Sequence, residues 1–262
     1  MTASDGDGVS LQVRGPVATL VLDRPHKRNA MRLRTWRALP ALIAAAEREA
    51  AVGLVLVRGA GGHFGAGNDI AEFGALRSDA AAAAAYGRAM ADAMHAVEAA
   101  SKPVVMAIEG VCYGASLALV LAGDLRLATQ DASFAITPAK LGALYLRSDL
   151  HRLAAAVGPA RSKRLIYTAE AIGASEALDI GLVDELLPSD RFELELSRRM
   201  GVILEGSPFT LRQTKAMLRS LGHGRAPVET EESLASFVEA TQGDDFKEGV
   251  EAFLNRRPPR FR

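Results

Sequence analysis

The sequence predicts an α/β core followed by a helical tail, and three observations carry that prediction. Short β-branched, apolar runs alternate with helical periodicity through the first half of the chain, two of these runs empty into glycine-rich loops, and helical periodicity fills everything from Ser148 onward. Val9–Arg14 and Val17–Asp23 open the core as paired strands, because Gly15-Pro16 between them suits a tight turn. A helix from about Thr35 to Ala50 follows, then the compact apolar run Gly53–Arg58, which reads as a buried strand ending in the loop Gly59-Ala60-Gly61-Gly62.

The pattern then repeats. An alanine-rich helix from about Ser78 to Ala100, with the strong helix former alanine at Ala80–Ala85, stops before Lys102-Pro103, since a residue preceding proline is pushed out of the helical region. Pro103–Glu109 is the next buried strand. Gly114 opens a short apolar helix to Ala122, and Asp124–Ala128 and Ala132–Ile136 read as strands. Helix starts in the tail are expected at Ser148 with Asp149, Ser175 with Glu176, and Ser207 with Pro208 at the first helical position.

Composition narrows the class. The chain has 262 residues, 49% hydrophobic and 24% charged, an ordinary profile for one sizeable core. Thirty-one basic residues balance thirty-one acidic ones, so neither the net charge nor any basic helix face points to nucleic acid as a partner. Cys112 is the single cysteine, which excludes an internal disulfide and a cysteine-rich metal site and suits a reducing cytoplasm. No metal is expected. Residues 1–8 are acidic and small, lack the basic and apolar regions of a signal peptide, and read as a flexible lead. No apolar run approaches the roughly 18 residues of a membrane-spanning helix, so no membrane association is expected.

Three segments carry a resemblance. Asp23-Arg24-Pro25-His26-Lys27-Arg28-Asn29-Ala30-Met31, His63-Phe64-Gly65-Ala66-Gly67-Asn68-Asp69-Ile70 and Glu109-Gly110-Val111-Cys112-Tyr113-Gly114-Ala115-Ser116 resemble, in order and at suitable distances, the N-R-P, F-x-A-G-x-D and G-x-x-x-G-G elements of the crotonase, or enoyl-CoA hydratase/isomerase, superfamily. The tail Asp245–Leu254 resembles that family's C-terminal signature. The resemblance implies a ClpP/crotonase-like spiral ββα core over residues 9–200 and a C-terminal helical oligomerisation region over residues 201–262, giving a homotrimer or a dimer of trimers.

It also implies an acyl-CoA thioester as substrate, with no cofactor beyond the coenzyme A that the substrate carries. The backbone N–H groups of Asn68 and Ala115 fall where the family places the donors of an oxyanion hole. Enolate chemistry puts negative charge on the thioester oxygen, and each preorganised N–H stabilises it by about 3 kcal/mol. Alanine at 115 in place of the family's glycine keeps the N–H and adds a methyl group. For the coenzyme, the resemblance points to the basic residues Arg24, Lys27 and Arg28, to Ala66 in the first loop, and to Phe253 and Arg256, which match positions that cover the adenine from a neighbouring subunit. Surface clusters of basic residues are common, and that reading stands beside the phosphate one.

The family's hydratases manage protons with two glutamates, and those positions fall here on Ala118 and Pro138, which transfer none. The stretch Phe134-x-x-Thr137-Pro138-x-x-Leu141-Gly142-x-x-Tyr145 resembles that of methylmalonyl-CoA decarboxylases, in which the tyrosine lies in the active site. Decarboxylation needs less acid–base machinery, because loss of carbon dioxide itself generates the enolate. On this reading Thr137 adds a hydroxyl contact and Tyr145 orients the departing carboxylate or its surroundings. Asp149 stands at the start of the next helix as a candidate acid or base, against the plain alternative of a carboxylate favouring a helix N-terminus. An isomerase or hydratase with a displaced acid or base, using Asp149 or a water, and a catalytically silent acyl-CoA binder are the competing functions.

Overall fold

The computed structural model describes Gly6 and residues 8–74, 79–222 and 230–261. Most of the expected lead at residues 1–8, and Ser78, lie outside the described residues. The chain divides into two compact units, one of residues 1–100 and 104–196, the other of residues 101–103 and 197–262.

In the first unit the main sheet has six strands: β1 (Val9–Arg14), β2 (Val17–Leu22), β3 (Leu54–Gly59), β4 (Val104–Ile108), β6 (Leu125–Thr129) and β9 (Glu185–Leu187), side by side in that order. β1 and β2 form an antiparallel hairpin around Gly15-Pro16, with Arg14 opposite Val17, and the other neighbours run parallel. Every residue of β4, and Leu54 to Val57 of β3, is buried, as interior parallel strands covered on both faces require. A second sheet sets β7 (Ser133–Ala135) between β5 (Val111–Tyr113), in parallel, and β8 (Ile172–Gly173), antiparallel.

Helices α1 (Leu33–Arg48) and α2 (Ala80–Ala99) pack on each other. Their buried residues, Trp36, Leu39, Ile43 and Ala46 on one and Tyr86, Ala89, Ala93 and Val97 on the other, recur every three or four positions and mark a single apolar face. α1 starts at Leu33, earlier than the periodicity suggests, because tertiary partners cap it. The Glu72 carboxylate accepts from the Leu33 N–H at 2.7 Å, and Thr35 Oγ1 accepts from the Arg32 N–H at 3.3 Å. Asp79 caps α2, its Oδ1 accepting from Ala81 and Ala82.

Short helices complete this unit: α3 (Ala115–Val120), α4 (Pro138–Leu141), α5 (Arg147–Val157), α6 (Pro159–Thr168) and α7 (Ala174–Asp179). Here the sequence reading needs three corrections. The chain beyond Ser148 is not wholly helical: β8 and β9 interrupt it, and at two and three residues they are too short to disturb a helical window. Ser148 does not cap α5, which begins one residue earlier behind Leu146, and Ser175 does not cap α7, which begins behind Gly173. Ser207 does cap its helix, Oγ accepting from the Thr210 N–H at 3.2 Å.

α8 (Phe192–Leu204) runs from the first unit into the second, which also holds α9 (Pro208–Gly222), α10 (Glu231–Gln242) and α11 (Asp244–Leu254). Leu218, Phe237, Phe253 and Leu254 of that unit are exposed by more than half. Among the described residues no helix is long and apolar enough to cross a membrane.

Candidate active site

Backbone pairing brings the two glycine-rich loops together. The Gly65 N–H donates to Val111 O and the Tyr113 N–H to Gly65 O, each at 2.9 Å, laying the first loop beside β5. On its other side the loop pairs with the turn after β2: Ala66 N–H donates to Arg28 O at 2.8 Å, Met31 N–H to Gly67 O at 2.7 Å, and Asp69 N–H to Met31 O at 2.8 Å. Alternate amides along such a bridge face opposite ways, so the Asn68 N–H points away from Met31. Ala115 is the first residue of α3, where an N–H has no partner within its own helix. Among the described residues, no acceptor takes either N–H.

Glycine makes this approach possible. Gly67 has φ +96°, and a Cβ there would lie 3.0 Å from Tyr113 O and 3.2 Å from Ala115 N. Gly114 has φ +54°, and a Cβ there would press on Thr137 Oγ1 at 3.1 Å. Three of the expected site residues therefore converge on one turn: Ala115 follows Gly114, Thr137 abuts it, and the Tyr145 hydroxyl donates to Gly114 O at 2.6 Å. Asn68 reaches the same place through Gly67.

Two residues that sequence reasoning missed hold this geometry. Ser116 Oγ accepts from the Gly67 N–H at 2.9 Å and stitches the loops together. It is the single hydroxyl on α3, all of whose residues are buried, and that was the signal available in the sequence. The Trp36 indole donates to Asn68 Oδ1 at 2.9 Å and turns that side chain aside, leaving its backbone to face the loops. Replacing Ser116 by alanine strands the Gly67 N–H in the interior, at an expected cost of about 1–2 kcal/mol in urea unfolding. A cost near zero would show that the stitch contributes nothing.

Asp149 is fully buried. Its Oδ1 accepts from Arg152 at 3.2 Å, Oδ2 has no hydrogen-bond partner among the described residues, and Arg152 also pairs with Glu98 at 2.6 Å. Burial outweighs the attraction of Arg152 and pushes the Asp149 carboxyl up to about 6. The Tyr145 hydroxyl is raised well above the usual tyrosine range, first by burial, then by Cys112 and Asp149, which places Asp149 within electrostatic reach of it. Ala118 is fully buried on α3, and Pro138 is the first residue of α4.

The residues expected to meet coenzyme A differ in exposure. Arg24 is 5% exposed; its guanidinium lies 2.9 Å from Asp69 and donates to Ala30 O, so it braces the first loop from inside. Burial raises the Asp69 carboxyl, but the hydrogen bonds from Arg24, the Ala71 N–H and Arg32 outweigh it and hold the group below its ordinary value. Lys27 and Arg28 are exposed on the turn that pairs with Ala66. Phe253 and Arg256 are exposed in the second unit.

With this geometry in hand, comparison with known proteins is decisive. The sequence profile of the enoyl-CoA hydratase/isomerase family matches residues 12–262. The chain belongs to the enoyl-CoA hydratase/isomerase family. Among the relatives of this family member is a Bacillus subtilis protein named "Probable enoyl-CoA hydratase", 32% identical over 98% of this chain and 99% of its own. The peroxisomal Δ3,5-Δ2,4-dienoyl-CoA isomerase of Arabidopsis thaliana is 31% identical over 92% and 91%. A crystal structure of an enoyl-CoA hydratase/isomerase family protein from Hyphomonas neptunium superposes with a TM-score of 0.93 at 39% identity over 97% of each chain. The crotonase-type α/β fold follows, and the chain is an acyl-CoA enzyme of this family.

Proposed function

We propose that the enzyme holds the enolate oxygen of an acyl-CoA thioester between the Asn68 and Ala115 N–H groups and reaches that enolate by decarboxylating a small malonyl-type thioester. The observation that carries the first part is the pair of N–H groups left without acceptors where Gly67 approaches Ala115. The second part rests on Ala118 and Pro138, a methyl group and a ring at the places where a hydratase needs carboxylates to activate water. Loss of carbon dioxide breaks the bond from the α-carbon to the carboxylate and leaves its electron pair as the enolate. The enolate then needs one proton, and Asp149, a buried acid with its carboxyl raised to about 6 and within electrostatic reach of Tyr145, is the candidate to supply it.

Asp149 also supports a second reading, double-bond isomerisation with this carboxylate carrying the proton between carbons, in line with the dienoyl-CoA isomerase among the relatives. Assays of the purified protein with methylmalonyl-CoA, crotonyl-CoA and a 3-enoyl-CoA separate the reactions. Decarboxylation at least about tenfold faster than the others is the expected result, and rapid hydration of crotonyl-CoA would overturn it. Coenzyme A binding with no turnover on any thioester would leave only an acyl-CoA binder.

Lys27, Arg28 and Ala66 form the coenzyme-facing surface on this reading, with Phe253 and Arg256 of a neighbouring subunit over the adenine. The exposed apolar residues of the second unit support self-association as a homotrimer or a dimer of trimers, in the cytoplasm.

A further inference from the structure

Each candidate donor N–H is one end of a peptide unit whose other end is already engaged. The Gly67–Asn68 unit carries Gly67 O, which accepts from the Met31 N–H at 2.7 Å. The Gly114–Ala115 unit carries Gly114 O, which accepts from the Leu117 and Ala118 N–H groups in the first turn of α3 at 3.0 and 3.2 Å and, at the shorter distance of 2.6 Å, from the Tyr145 hydroxyl. The Met31 and Tyr145 distances are at the short end of the normal range. A hydrogen bond accepted by a carbonyl draws electron density onto its oxygen and makes the N–H of the same amide a stronger donor, by about 10–30% per bond in condensed phase.

We propose that Tyr145 is a positioning residue that strengthens and fixes the Ala115 N–H by donating to the carbonyl of the same peptide unit. It adds a side-chain donor to the carbonyl that the helix backbone already engages, as the Met31 backbone engages the carbonyl before Asn68. The inference rests on the oxyanion reading and deepens it. The direction of the bond is fixed, because a carbonyl oxygen only accepts, so the single hydroxyl proton of Tyr145 is already committed. On this reading Tyr145 acts on the surroundings of the reacting group through the Gly114 carbonyl. The rest of the turn leaves the peptide little freedom to swing: the Gly114 N–H is held by Ala135 O at 2.9 Å, and Thr137 Oγ1 fills the space beside Gly114 Cα.

The test is the infrared carbonyl stretch of butyryl-CoA carrying ¹³C at its thioester carbonyl, a probe that has no carboxylate to lose and no double bond to hydrate. Bound to the wild-type protein, the stretch falls below its position in water. In Tyr145→Phe the fall is smaller while butyryl-CoA affinity stays within about twofold. Site-specific 3-fluorotyrosine at position 145, a stronger donor that keeps the hydroxyl and the packing, enlarges it. On the substrate that the wild type turns over, Tyr145→Phe lowers kcat by about 2- to 8-fold, the share expected when a donor worth about 10²–10³ loses about 10–30% of its strength. A wild-type shift left unchanged by both substitutions overturns the part given to Tyr145 and leaves the oxyanion reading standing. No shift in the wild type overturns the oxyanion reading itself.

Discussion

Ala115→Pro should lower kcat by about 10²–10³ while leaving the fold and coenzyme A binding in place. The substitution removes the N–H and puts the ring Cδ where that N–H pointed, so it closes this half of the hole to the thioester oxygen. Ala115 is the first residue of α3, the helical position at which proline is best tolerated, and Gly114 before it has no Cβ to clash with the proline ring. Removing one oxyanion donor costs about 2.7–4 kcal/mol of transition-state stabilisation. The measurement is steady-state turnover of the thioester that the wild type processes fastest, beside thermal melting and coenzyme A affinity. Ala115→Gly is the control, because it keeps the N–H, and it should stay within a few-fold of wild type. Wild-type turnover by Ala115→Pro would remove this N–H from the chemistry.

The second large effect is on stability, and it depends on pH. Asp149 has its folded-state carboxyl raised to about 6, so the folded protein holds that proton more tightly than the unfolded chain does. Burying the charge therefore costs nothing below about pH 4, costs progressively more between about pH 4 and 6, and is fully felt above about pH 6. Raising an aspartate carboxyl from about 4 in the unfolded chain to about 6 in the folded one corresponds to about 3 kcal/mol. Asp149→Asn removes the charge, keeps an acceptor for Arg152 and places an amide N–H where Oδ2 has no partner, which takes back about 1 kcal/mol. The variant should thus be more stable than wild type by about 2 kcal/mol near pH 7.5 in urea unfolding, with the advantage gone near pH 4. An advantage that does not change with pH would show that the carboxylate is not the source. A stabilising substitution that also abolishes turnover would mark Asp149 as a group kept for function at a cost to the fold.

Much of this arrangement is legible in the sequence because it is local. Apolar runs ending in glycine announce β3 and β4 and the loops that follow them, and the resemblance of those loops to the family's motifs is what points to Asn68 and Ala115. Short or long-range features are harder. β9 is three residues long and gains its place by pairing with β6 some sixty residues earlier, which no local window reports. Arg24 reads as a surface cation until the fold sets Asp69 beside it. Ser116 and Trp36 act through partners 49 and 32 residues away, so their parts follow from tertiary contact alone. Tyr145 reads as a site residue from the sequence, and its hydrogen bond to the Gly114 carbonyl, 31 residues away, follows from tertiary contact alone.

The most direct test of the central claim is a crystal structure with a non-hydrolysable acyl-CoA bound. The thioester oxygen, or the atom that replaces it, should lie about 2.7–3.1 Å from both Asn68 N and Ala115 N. A carbonyl held elsewhere, with those two N–H groups facing water or another part of the ligand, would contradict it.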